Sequence, residues 1–187
     1  MYQRIASIVR SVSLNTLVIF AAQYLLFVII LIAVVFWAIL PKAKKVSFVV
    51  YGTLATIITY LLSRLASMAF YNPRPFVVSK TIPLIQHAAD NGFPSDHTLL
   101  SALVAFVVFR YSKLWGSILL VLTLFVGGSR IIAKVHSPLD IIGAIAIAGV
   151  GCLLSIPLER WISGKVSWLG GTKAPNSSEK LKDNHTS

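Results

Sequence analysis

The chain has 187 residues, with 17 lysines and arginines against 6 aspartates and glutamates, 12% charged residues in all and a mean hydropathy of +0.80. A soluble domain carries about 25% charged residues, so half that share excludes an ordinary cytosolic enzyme and points to an integral membrane protein. The net charge of +11 does not read as nucleic-acid binding, because the basic residues sit in short clusters between apolar runs, where they orient the chain and meet anionic membrane lipids.

Long unbroken apolar runs, without the alternation of a barrel, predict an all-α polytopic membrane helix bundle. The first run, Leu17 to Leu40, is long enough to span, and Met1 to Thr16, with Arg4 and Arg10, suits a short interfacial helix before it. No small-residue cleavage site follows a short apolar core, so the first span reads as retained. Pro41 and Lys42, Lys44 and Lys45 form a basic turn before a second run, Val46 to Ser63, which ends at Arg64. From Phe70 to Asp96, Asn72-Pro73-Arg74-Pro75, Pro83, Asp90-Asn91-Gly92 and Pro94 forbid a continuous helix, leaving a long loop of the kind that is usually functional.

Three further runs follow, Thr98 to Phe109, Trp115 to Gly128 and Pro138 to Ile156, for about five transmembrane helices. Residues 1–163 read as one membrane-embedded domain and residues 164–187 as a polar, disordered tail. The single cysteine, Cys152, lies in an apolar run and supports neither a disulfide framework nor a thiolate metal site.

Five spans put the two ends on opposite faces. The face with the tail holds ten basic residues and the other holds seven, so the positive-inside rule makes the C-terminus cytoplasmic. The third and fourth runs, of 12 and 14 residues, cover only roughly 18 to 21 Å at about 1.5 Å per residue. Polar groups at their ends therefore sit at a depth that suits a lipid head.

Ionisable residues at membrane depth are costly and mark function. Here they fall in three clusters: Arg74-Pro75 in the loop, Pro94-Ser95-Asp96-His97 opening the third span, and Ser129-Arg130 closing the fourth, followed by His136 and Asp140. Two antiparallel crossings return all three to one face. His136 and Asp140, four apart, share a helix face, so the carboxylate can hold one imidazole nitrogen and leave the other as nucleophile or base. Arg74 and Arg130 offer planar forks for phosphate oxygens, Ser95 adds a hydroxyl donor at a helix N-terminus, and His97 is free to protonate a leaving oxygen.

These residues, above all Ser129-Arg130-x5-His136-x3-Asp140, resemble the three-part signature of the type-2 phosphatidic acid phosphatase superfamily of membrane lipid phosphatases, over about residues 60 to 157. The superfamily's first motif has a lysine seven residues before the arginine of Arg-Pro; this chain has Ser67 there, and Arg64, ten residues before, is the candidate substitute. The Pro-Ser-Asp-His form, with His87-Ala88-Ala89-Asp90-Asn91-Gly92-Phe93 ahead of it, looks like the undecaprenyl-diphosphate phosphatase branch. The resemblance implies hydrolysis of a lipid diphosphate, the bacterial cell-wall carrier, on the outer face of the plasma membrane. His136 would be the nucleophile, Asp140 its orienting partner and His97 the general acid, with Arg74, Ser95 and Arg130 on the phosphoryl oxygens. It implies no metal, no cofactor and no obligate protein partner.

Several alternatives stand beside that reading. The lipid could be phosphatidic acid or phosphatidylglycerophosphate, because the motifs grip phosphate rather than a tail. His97, His136, Asp96 and Asp140 could ligate zinc, although two arginines aimed at one point would repel a cation. A non-catalytic lipid or anion transporter would use the arginines and leave the His136–Asp140 pair without a purpose. Asp96 either tunes His97 or caps the third span, and His87 and Asp90 either order the loop or meet a second phosphate.

Overall fold

The computed structural model describes the backbone of residues 2–169 and the side chains of residues 12–162. Seven helices follow in order: α1 Tyr2–Gln23, α2 Leu25–Ile39, α3 Lys42–Ala69, the single turn α4 Pro75–Val78, α5 Asp96–Tyr111, α6 Lys113–Ile132 and α7 Pro138–Leu169. The fold is all-helical. α3, α6 and α7 are each long and apolar enough to cross a membrane, and α1 from Val12 with α2 passes the same test as a bent pair, a fourth candidate if the two make one span. Large side chains such as Leu61, Leu65, Val121, Leu124, Phe125 and Leu153 stand exposed on the flanks of these helices. Contiguous apolar surface on that scale needs lipid against it, so the chain is a multi-pass membrane protein.

α5 is the centre of the bundle. It packs against α6 on one side and α7 on the other, and Leu99, Ala102, Leu103, Ala105, Val107 and Val108 are buried around its circumference. Leu99, Ala102, Leu103 and Val107 meet Tyr51 and Ala55 of α3 and Ala144, Ala148 and Cys152 of α7, while Ala105 and Val108 meet Ile29, Ala33 and Phe36 of α2 and Leu119 and Val126 of α6. A helix apolar on all sides is a core helix. Close approach of α3 to α7 depends on Gly151, where an added Cβ would lie 2.1 Å from Thr59 Oγ1. At the end away from the loop, Glu159 ties three helices together. It accepts from Arg110 Nη2 at 2.8 Å and from Ser47 Oγ at 2.8 Å, while Tyr111 Oη lies 3.0 Å from the same serine.

The elements depart from sequence expectation at three places. The first span is not one helix with an interfacial helix ending at Thr16; α1 continues to Gln23 and the chain bends by 51° at Tyr24. Proline and glycine are absent from that bend, and its cause lies elsewhere in the chain. Arg130 Nη1 donates to the Ala22 carbonyl at 3.1 Å, taking an acceptor that a continuous helix would offer to the amide of Leu26.

The third and fourth runs also extend beyond their apolar residues. α5 has 16 residues and α6 has 20, because Asp96, His97, Arg110 and Tyr111 in the one, and Lys113, Leu114 and Ser129 to Ile132 in the other, continue the helix. α6 is thus long enough for a full crossing, whereas α5 stays shorter than the candidate spans α3, α6 and α7. Finally, α7 runs through Pro157 to Leu169, past the expected start of the tail at Gly164; residues 170–187 lie outside the described ones.

Candidate active site

The N-terminal end of α5, the C-terminal end of α6 and the N-terminal end of α7 meet at one end of the bundle, and the Phe70–Ser95 loop closes over them. The α6–α7 turn is short. Lys134 takes a left-handed conformation (φ 63°) that reverses the chain, and the amides of Val135 and His136 both reach back to the Arg130 carbonyl, at 3.2 and 3.3 Å. His136 is thereby delivered beside Arg130.

His136 is buried, and its two ring nitrogens have different company. Nδ1 lies 2.9 Å from the Gly92 carbonyl oxygen and 3.4 Å from Asp140 Oδ2. Both are acceptors, so Nδ1 carries the proton and Nε2 keeps its lone pair. Nε2 lies 3.4 Å from Arg130 Nη2 and 3.3 Å from Arg74 Nη1, which is also 3.5 Å from Nδ1. Burial, then the charges of Arg130 and Arg74, hold the imidazole below the usual histidine range, against the hydrogen bond it donates to Asp140, which works the other way. A neutral nucleophilic nitrogen thus sits where two guanidinium groups converge.

Each arginine is held from behind. Arg74 donates from Nη1 to the Val135 carbonyl at 2.9 Å, from Nη2 to the Asn91 carbonyl at 3.2 Å and from Nε to Asp90 Oδ1 at 2.8 Å. Arg130 is fixed by Ala22, and its Nε is buried with no hydrogen-bond partner, which leaves one more N–H for an incoming oxygen. Ser95 is fully buried at the N-cap of α5, where its hydroxyl accepts from Thr98 Oγ1 at 3.2 Å. His97, in the first turn of α5, is half-buried, within electrostatic range of Arg130 and His136.

Asp140 is fully buried, and its oxygens are spoken for. Oδ1 accepts from Asn72 Nδ2 at 2.7 Å, and Oδ2 from the Ser137 amide at 2.7 Å. For His136 Nδ1 the shorter partner is a backbone oxygen, Gly92 O, rather than the carboxylate that sequence spacing singled out. That contact needs glycine: a Cβ at position 92 would stand 3.0 Å from Asn72 O, 3.1 Å from Asp140 Oδ2 and 3.4 Å from Arg74 Cγ.

The structure therefore gathers Arg74, Ser95, His97, Arg130, His136 and Asp140 at one end of the bundle. It does not gather Arg64, which is exposed on α3 and makes no hydrogen bond or ion pair among the described residues. Ser67, in the place of the usual lysine, instead receives Asn91 Nδ2 on both its carbonyl (3.0 Å) and its hydroxyl (3.2 Å). Asp96 is exposed in the first turn of α5, the position a helix N-terminus favours for an acid. Asp96 therefore does not join His97, His136 and Asp140 around a common point, and among the described residues no three His, Cys, Asp or Glu side chains could hold one metal ion.

Asn72, Asn91, Gly92 and Ala22 were not singled out as site residues from the sequence. The available signal was weak: Asn72-Pro73 and Asn91-Gly92 stood out only as turn formers. In the structure Asn91 ties the loop together, its Oδ1 accepting from the amides of Asn72 (2.9 Å) and Phe93 (3.0 Å).

A buried, oriented imidazole beside two guanidinium groups at the end of a membrane helix bundle is an arrangement that can hold a phosphoryl group and offer it a nucleophile. The chain belongs to the PAP2 superfamily, whose family model matches residues 46–162. It is 36% identical, over 83% of this chain and 75% of the other, to a Bacillus licheniformis protein named bacitracin transport permease protein BcrC. It is 29% identical, over 72% and 69%, to the undecaprenyl-diphosphatase BcrC of Bacillus subtilis. Among solved structures, Aquifex aeolicus LpxE superposes with a TM-score of 0.56 at 25% identity, over 80% of this chain and 86% of that one.

Proposed function

We propose that the protein hydrolyses undecaprenyl diphosphate to the monophosphate and inorganic phosphate, without a metal, and so recycles the carrier lipid of cell-wall synthesis. The observation that carries this is the position of His136 Nε2, unprotonated and 3.3 and 3.4 Å from two arginine N–H donors. In the first step Nε2 forms a bond to the terminal phosphorus while the bond to the bridging oxygen breaks, and His97 gives that oxygen a proton. In the second, His97 takes a proton from water as its oxygen attacks the phosphohistidine; phosphate leaves and Nε2 recovers its lone pair. Arg74, Arg130 and Ser95 carry the charge of the transferred group through both steps. Choice of the diphosphate rests on the Bacillus subtilis relative.

The same reading has α1/α2, α3, α5, α6 and α7 as five crossings, with α5 made to span by the polar site at its end. The C-terminus is then cytoplasmic and the site faces outward, where the carrier is left as diphosphate after delivering its sugar. The name of the Bacillus licheniformis relative raises transport as a second reading. A binding site for carriage has no use for a histidine tautomer fixed by Gly92 and Asp140.

The test is phosphate release from undecaprenyl diphosphate by detergent-purified protein in excess EDTA, with His136→Ala beside it. Release that survives EDTA and is lost in the variant is expected. Loss of all activity with EDTA would return a metal to the mechanism; release from phosphatidic acid alone would move the substrate; binding without release would favour transport.

A further inference from the structure

The proposed mechanism leaves His87 unused. The loop that carries it is pinned on both sides. Upstream, Ile85 is buried against Ala22, Ala133 and Val135, and the Leu84 amide donates to the Ala133 carbonyl at 3.2 Å. Downstream, Asp90 accepts from Arg74, and Asn91 is bound to Ser67 and Phe70. Between these anchors the His87 ring stands edge-on to His136, with centroids 5.8 Å apart at 80°. Its Nδ1 is buried with no hydrogen-bond partner. Around it stand the cations Arg74 and Arg130, the His136 imidazole and the exposed Asp90 carboxylate that Arg74 binds, and His97 on α5 lies within electrostatic range as well.

The oxygens of a transferred phosphoryl group are already provided for by Arg74, Arg130 and Ser95. An ester substrate then presents only a leaving alkoxide oxygen, which needs one proton donor. A diphosphate presents a second phosphoryl group beyond the bridging oxygen, with further charged oxygens that must be met. His87, lying within range of both the nucleophile and the proposed general acid, is the donor left over for them. We infer that His87 binds the second, non-transferred phosphoryl group of the substrate and makes the site selective for diphosphates over phosphate monoesters. Burial, and then the positive charges of Arg74 and Arg130, hold its imidazole below the usual histidine range, so it meets that group as a neutral N–H donor rather than as a third cation. This inference rests on the phosphatase reading above.

Calorimetric titration of the detergent-purified protein with inorganic diphosphate and inorganic phosphate tests it without depending on lipid turnover. The wild type is expected to bind diphosphate at least tenfold more tightly. His87→Ala should shrink that preference at least fivefold, and His87→Asn, which keeps an N–H donor, should retain more of it. An unchanged ratio in His87→Ala, whether both affinities hold or both fall together, would overturn the inference, as would a wild type with no preference for diphosphate. Phosphate release from undecaprenyl diphosphate by the wild type judges the phosphatase reading separately: its absence, with the ratio still shifted, would remove the substrate and leave the diphosphate subsite.

Discussion

Asn72 should matter to catalysis as much as several residues that the sequence motifs contain. Its Nδ2 donates to Asp140 Oδ1 at 2.7 Å and to Ser137 Oγ at 2.8 Å, behind the His136 imidazole. A hydrogen bond to a charged partner contributes about 1.5–3 kcal/mol, or roughly 10- to 150-fold at about 1.4 kcal/mol per decade. Asn72→Ala is expected to lower kcat/KM for undecaprenyl diphosphate within that range and to lower the melting temperature. Asn72→Asp should be worse. It sets a second carboxylate against Asp140, and two like charges about 4 Å apart at an effective dielectric of about 20 cost about 4 kcal/mol, near a thousandfold. Steady-state phosphate release for the three proteins decides the matter. Asn72→Ala within twofold of the wild type, or Asn72→Asp milder than Asn72→Ala, would refute the claim that Asn72 holds Asp140.

Gly92→Ala should keep the fold and lose about a hundredfold in kcat, since the new Cβ forces Asn72, Asp140 or Arg74 to yield by a few tenths of an ångström and displaces the oxygen that orients His136; comparable thermal melts with unchanged turnover would contradict this. The acid limb of kcat/KM should fall below pH 6.5: burial and two arginines keep His136 neutral to lower pH than a free histidine, so activity is retained as pH drops through 6.5 and is lost only when Nε2 takes up a proton. A limb at or above 6.5 would show that the arginines do not act on that nitrogen. Glu159→Gln, at the other end of the bundle, should lower stability by about 2–3 kcal/mol, less than a fully buried pair because Arg110 is one-quarter exposed, and should leave KM unchanged; a shifted KM would mean that the two ends are coupled.

The long loop and the helix start after it were legible because proline and glycine act locally: α3 ends at Ala69 and α5 begins at Asp96, and Pro73, Pro75 and Pro94 forbid a continuous helix between them, leaving only the single turn α4. The convergence of Arg130, His97 and His136 followed from antiparallel crossings, and His136 with Asp140 from helical spacing. What escaped the sequence acts through groups that leave no pattern in it. Gly92 and Ala22 contribute carbonyl oxygens, which every residue has. Asn72 and Asn91 contribute amides, which in a proline- and glycine-rich stretch read as turn formers. The bend at Tyr24 sits in an apolar run with no breaker, since the side chain that takes the Ala22 carbonyl comes from a residue 108 positions away.

Those same carbonyls explain how two arginines can be aimed at one imidazole without being silenced. A carboxylate behind each guanidinium would fix it and cancel its charge. Val135, Asn91 and Ala22 instead offer carbonyl dipoles, which fix direction and leave the charge to act forward. Among the described residues the one full anion in contact is Asp90, and its side chain is 63% exposed, so solvent weakens its hold on Arg74. The arrangement costs His136 its affinity for a proton, and a nucleophile attacking phosphorus needs that lone pair free. Preorganised charge of this kind, set before substrate arrives, does its work in the transition state without reorganising. The bend in the first span follows from it: α1 gives up one helical hydrogen bond at Ala22 to hold Arg130 in place.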